Sequence, residues 1–168
     1  MTISADLQKL DPALRDAAFM REALKEAKKA FDEDEVPVGA VLVVGNRVVA
    51  RGRNQVELLS DATAHAEMLC LSAGAAQSDS WRLKDATLYC TLEPCCMCAG
   101  AMFVSRLKRL VWGAPDLRVG ANGSWINLFE KEHPIHTIEI TSGILQDEAA
   151  DLMRTFFQKQ REVRKREE

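Results

Sequence analysis

The chain has 168 residues, of which 47% are hydrophobic and 28% charged, a size and balance that suit one globular domain over residues 1–168. No apolar run approaches the roughly 18–20 residues of a membrane span, and Met1 to Lys9 lacks the apolar stretch of a signal peptide. Five cysteines form no secreted disulfide pattern and point to the reducing cytoplasm, while a net charge of −3 confines any nucleic-acid surface to a local patch.

In chain order, Asp11-Pro12 reads as a cap and first-turn proline, after which Phe19, Ala23, Ala27 and Ala30 recur on one helical face. That helix is expected to end near Phe31. Val38 to Val44 and Arg47 to Arg53 are rich in β-branched residues and flank Gly45-Asn46, the pattern of a tight hairpin. A helix over Ala64 to Ala75, a strand over Ala86 to Thr91, a helix over Cys95 to Ser105 and a strand over Arg109 to Trp112 follow. Thr137 to Ile140 alternates as a short fifth strand, and Leu145, Ala149, Leu152, Met153 and Phe156 mark a terminal helix after Gly143. This alternation predicts an α/β fold with helices on both faces of a sheet.

The chemistry concentrates in two segments, Thr63-Ala64-His65-Ala66-Glu67 and Pro94-Cys95-Cys96-Met97-Cys98. They match the H-x-E and P-C-x-x-C halves of the zinc-dependent nucleobase deaminase signature. His65, Cys95 and Cys98 supply three zinc donors, one fewer than a closed structural site, which leaves a corner for water and makes Glu67 more useful as a base than as a ligand. Residues two apart point to nearly opposite sides of a regular helix, so His65 and Glu67 can converge only at a first turn, beyond the cap signals Asp61 and Thr63. Glu93-Pro94 reads likewise as a helix start that sets Cys95 and Cys98 one turn apart. Both helix N-termini would favour thiolates. Two alternatives stand beside this: His133 or His136 closes the site and makes it structural, or the C-x-x-C is a redox pair. Cys70 and Cys90 lie in apolar segments as core residues, and Cys96 has no assigned role.

Beyond these motifs, Glu35 to Ala40, Asp85 to Tyr89, Thr91 to Met102, Gly113 to Asp116 and Gly120 to Ser124 resemble the bacterial tRNA-specific adenosine deaminases of the TadA type, within the cytidine and deoxycytidylate deaminase superfamily. The resemblance covers most of the chain. It implies a three-layer α/β/α sandwich around a five-stranded mixed sheet, one Zn²⁺ per subunit, a cytoplasmic homodimer, and a tRNA anticodon stem-loop as partner. The implied reaction is hydrolytic deamination of adenosine to inosine at the wobble position of an arginine tRNA, with Glu67 as the catalytic proton carrier.

The resemblance also implies substrate contacts at Asn54, Asp116, Arg118 and Phe157, with Arg118 standing where the family often has lysine. A turn asparagine, a turn aspartate and a core phenylalanine are the competing readings. The basic run from Lys159 to Arg166 either lines phosphates or is a solvated helix face. The rival enzyme is a deaminase of a free nucleobase or nucleoside such as guanine or cytosine; a noncatalytic RNA-binding subunit is argued against by Glu67.

Overall fold

The computed structural model describes residues 11–130 and 132–167. Met1 to Lys9, read above as lacking a leader, lie outside the described residues. Five strands, β1 (Gly39–Val44), β2 (Arg47–Arg53), β3 (Ala86–Leu92), β4 (Arg109–Ala114) and β5 (Glu139–Thr141), form one sheet in the order β2-β1-β3-β4-β5. β1 is antiparallel to β2 and β3, whereas β4 is parallel to both β3 and β5, so the sheet is mixed as expected.

The helices are α1 (Pro12–Asp32), the single turn α2 (Val56–Leu59), α3 (Ala66–Gln77), α4 (Cys96–Val104) and α5 (Gln146–Glu167). Asp11 caps α1 by accepting from the Ala13 N–H at 2.9 Å, with Pro12 in the first turn where its missing donor costs nothing. Strand alternation then sorts the core into two faces. Ala40 and Leu42 of β1 pack with Cys70 and Leu71 of α3 and Met102 and Phe103 of α4. Val41 and Val43 pack on the other side with Phe19, Met20 and Ala23 of α1. α5 joins α1 there, with Phe156 edge-on to Phe31 at 5.8 Å between ring centres. The result is a three-layer α/β/α sandwich.

Two glycines set how closely the outer layers approach the sheet. A Cβ on Gly39 would lie 2.1 Å from the Ala23 carbonyl oxygen of α1, and one on Gly52 would lie 2.3 Å from the Ala66 carbonyl oxygen of α3. Beneath α1, Asp16 is buried, accepting from Arg109 at 2.8 and 2.6 Å and from the Tyr89 hydroxyl at 2.8 Å, which ties the helix to β3 and β4.

Several boundaries differ from the sequence reading, each for a tertiary reason. α3 starts at Ala66, not Ala64, because the Asp61 carboxylate takes the Thr63 N–H and hydroxyl and the Ala64 carbonyl accepts from Gln55. α4 starts at Cys96 because the Pro94 carbonyl accepts from Ala121 and Cys95 bridges to Gly120, holding both residues extended. β5 begins at Glu139, the partner of Arg109, rather than at Thr137. The turn α2 is too short to leave a periodic signal.

Candidate metal centre and substrate cavity

His65 and Cys95 hold equivalent places, each the N-cap of a helix, α3 and α4 respectively. Both are extended, with φ/ψ of −69°/150° and −76°/174°, and neither side chain caps its own helix. They face each other instead. His65 Nδ1 lies 3.7 Å from Cys95 Sγ and 3.6 Å from Cys98 Sγ, and the two sulfurs are 3.7 Å apart. Tetrahedral zinc, with Zn–S about 2.3 Å and Zn–N about 2.05 Å, requires S···S near about 3.8 Å and S···N near about 3.6 Å. The donor set therefore fits zinc in both chemistry and spacing.

The geometry favours the metal site over the alternatives. Cys95 and Cys98 stand as free thiols, and His65 meets both sulfurs, a contact that a redox pair does not require. His136 Nε2 is engaged with the Leu107 carbonyl at 2.7 Å, and the His133 ring stacks on Phe103 at 4.5 Å. Among the described residues, the metal-competent group consists of His65, Cys95 and Cys98 alone.

Electrostatics single out Cys95 as the thiolate of the pair, since its contact with Cys98, together with burial, pushes the Cys98 thiol well up. Hydrogen bonding from Cys98 and then His65 overcomes burial to hold the Cys95 thiol down at about 4, and the same contact with Cys95 raises the imidazole. Two helix N-termini add positive potential to the spot. Glu67, in the first turn of α3, is buried; desolvation pushes its carboxyl up to about 7, and its Oε2 has no hydrogen-bond partner. Burial likewise pushes Cys70 up to about 12 and Cys90 well above its usual value, consistent with inert core thiols.

A cavity of about 290 Å³ opens over the donors at the C-terminal ends of β3 and β4, the edge where open α/β sheets bind ligands. His65, Glu67, Cys95, Asn54, Asp116 and Arg118 all contribute to its wall. Its volume lies near the lower limit of about 300 Å³ for small-molecule sites, a size for a base rather than a folded polymer. Asn54 is buried and donates Nδ2 to Glu35 at 3.1 Å. Phe157 stands apart, half-buried against Phe156 and lining an adjoining groove of about 780 Å³ with Arg154 and Arg161. Arg118 spans the two spaces, its guanidinium 4.0 Å from Asp116 and 5.4 Å from the Phe157 ring centre. Of the basic C-terminal run, Lys159 is tied to Asp34 at 2.7 Å, while Arg161 faces the groove.

Residues 14–114 match the cytidine and deoxycytidylate deaminase zinc-binding region. The tRNA-specific adenosine deaminase of Bacillus subtilis is 45% identical over 152 residues, 90% of this chain and 92% of that protein. This chain belongs to the tRNA-specific adenosine deaminase family. The Arabidopsis thaliana chloroplastic tRNA(adenine(34)) deaminase is 54% identical over 159 residues, and there the match spans 85% of this chain but 12% of the relative. A solved structure from work on A-to-I editing by tRNA:A34 deaminases at the wobble position superposes with a TM-score of 0.77 at 42% identity, covering 80% of this chain and 98% of that one.

Two carboxylates of this deaminase escaped the sequence reading as site residues. Glu35 is fully buried and accepts from the Leu58 N–H at 2.7 Å as well as from Asn54, so it fixes the amide that faces the cavity. Glu93, read as part of a helix start, is buried and accepts from three backbone N–H groups across the chain. Their adjacency to proline and to the motif segments was the available signal, and it does not distinguish a buried acceptor from a solvated acid.

Proposed function

We propose that this protein hydrolyses adenosine to inosine at the wobble position of a tRNA anticodon, an arginine tRNA by family resemblance, as a cytoplasmic homodimer with one deaminase domain over residues 1–168. The supporting observation is the continuity of the base-sized cavity with the cationic groove. Leu92, Asp116, Arg118 and Met153 line both spaces. A free-base enzyme needs the cavity alone, whereas a flipped nucleotide needs a path for the strand on either side.

His65 Nδ1 and the Cys95 and Cys98 sulfurs would hold zinc, which as a Lewis acid lowers the pKa of water to about 7. Glu67 is placed in the same wall with a free oxygen, so it can take a proton from the attacking water and deliver protons to the purine ring nitrogen and the departing amine. Addition at C6 and loss of ammonia then convert the amidine to the carbonyl of inosine. Asn54, with one N–H committed to Glu35, retains its carbonyl and second N–H for the purine edge. Arg118 and Phe157 offer charge and a stacking face at the groove.

Incubating zinc-loaded protein with an anticodon stem-loop, total tRNA and free bases distinguishes the readings. Inosine at the wobble position is expected; deaminated guanine or cytosine beside unchanged RNA would overturn the assignment in favour of the free-base enzyme.

A further inference from the structure

Glu93 lies two residues before Cys95, yet its carboxylate turns away from the metal donors and into the loop that follows β4. Oε1 accepts from the N–H groups of Asn122 at 2.8 Å and Ser124 at 3.2 Å; Oε2 accepts from the Asp116 N–H at 3.1 Å and from the Ser124 hydroxyl. Four donors on one buried carboxyl group fill its acceptor sites. The loop is shaped to receive it. A Cβ on Gly120 would fall 2.5 Å from both the Glu93 carboxyl carbon and Oε2. Parallel backbone links, Ala121 N–H to the Pro94 carbonyl at 2.8 Å and Glu93 N–H to the Ala114 carbonyl at 2.8 Å, hold the two segments together along their length.

We infer that Glu93 is a positioning residue: it clamps the 115–124 loop to the metal-bearing segment and thereby sets where Asp116 and Arg118 stand over the substrate cavity. The inference deepens the tRNA deaminase reading and rests on it for its kinetic arm. Glutamine at this position keeps the shape but turns one acceptor into a donor, which must then oppose a backbone N–H. Asp116 and Arg118 belong to the cavity wall, and the backbone link from Ala121 to Pro94 that holds the Cys95 segment does not pass through the Glu93 carboxylate, so the clamp acts on substrate placement more than on zinc.

The test compares zinc-loaded wild type with Glu93→Gln, Gly120→Ala and the milder Ser124→Ala. Amide hydrogen exchange at Asp116, Asn122 and Ser124, zinc content, and steady-state kinetics on an anticodon stem-loop are read together. Glu93→Gln and Gly120→Ala are expected to lose loop protection by about tenfold or more and to raise KM roughly tenfold to a hundredfold, with one zinc per chain retained and kcat changed far less. Ser124→Ala is expected to move both readouts the same way by less. Unchanged loop exchange in Glu93→Gln, loss of zinc, or lost protection with wild-type KM would each overturn the inference. A wild-type enzyme inert on the stem-loop would instead sink the functional reading, and loop exchange alone would then decide whether the clamp exists.

Discussion

Gly52→Ala offers a direct test of how the sheet holds the metal donors in register. The new Cβ would meet the Ala66 carbonyl oxygen at 2.3 Å, the Cys70 nitrogen at 2.8 Å and the Cys70 Cβ at 2.9 Å, where ordinary contact begins at 3.4 Å. Relief requires α3 to withdraw from β2 by about 1.1 Å. Ala66 sits between His65 and Glu67, so that movement carries both away from Cys95 and Cys98, whose spacing to the imidazole already matches zinc at 3.7 and 3.6 Å. Overpacking of this kind costs about 1–3 kcal/mol, or roughly 2–4 °C in Tm per kcal/mol for a chain of this size. A misplacement near 1 Å costs turnover about 10²-fold. Gly39→Ala is the control, because its Cβ would strike α1 at Ala23 and Ala27 on the opposite face. Thermal melts, zinc titration and turnover should therefore show similar destabilisation in both variants but weakened zinc binding in Gly52→Ala alone. Wild-type zinc affinity and turnover in Gly52→Ala would refute the reasoning, as would equal loss of zinc in Gly39→Ala.

Glu67→Gln should retain one zinc per chain while turnover falls about 10²–10⁴-fold; metal loss measured by elemental analysis would make Glu67 a ligand. Exhaustive chelation should lower Tm and abolish deamination, with both restored by added zinc, and activity surviving chelation would remove the metal from the reaction. Asp16→Ala leaves the Tyr89 hydroxyl without its acceptor and Arg109 with the Thr141 hydroxyl in place of a carboxylate. The cost should be about 3 kcal/mol by chemical denaturation, at the low end for a buried pair because the Arg109 side chain is 25% exposed. Burial raises the Asp16 carboxyl, but hydrogen bonds from Arg109 and Tyr89 together with the Arg109 charge bring it below its ordinary value. Its contribution is therefore present above the usual carboxylate range near about pH 4 and lost as pH falls through the depressed value. Wild-type Tm should drop more steeply in acid than that of Asp16→Asn, and parallel pH profiles would refute this.

Part of the candidate site was legible because each of its two motifs is local. Cys95 and Cys98 lie three apart, the donor types select the metal, and the two-residue step from His65 to Glu67 already demanded a helix start. The hairpin was equally legible, since two-residue turns and β-branched alternation act over short range. Asp116 and Arg118 could be named from resemblance, but their standing over the donors depends on a loop held from 23 or more residues away.

Sequence by itself determined the order of the main elements and nominated a zinc-donor set and a proton carrier, because residue type and motif spacing are written along the chain. Tertiary structure alone decided that His65 meets Cys95 and Cys98 at tetrahedral spacing, that His133 and His136 are engaged elsewhere, and that Glu35 and Glu93 are buried acceptors. The physical reason is that spacing along a chain constrains only neighbours. Whether a carboxylate faces solvent, an amide or a metal is settled by which strands pair and how closely the helices lie on them.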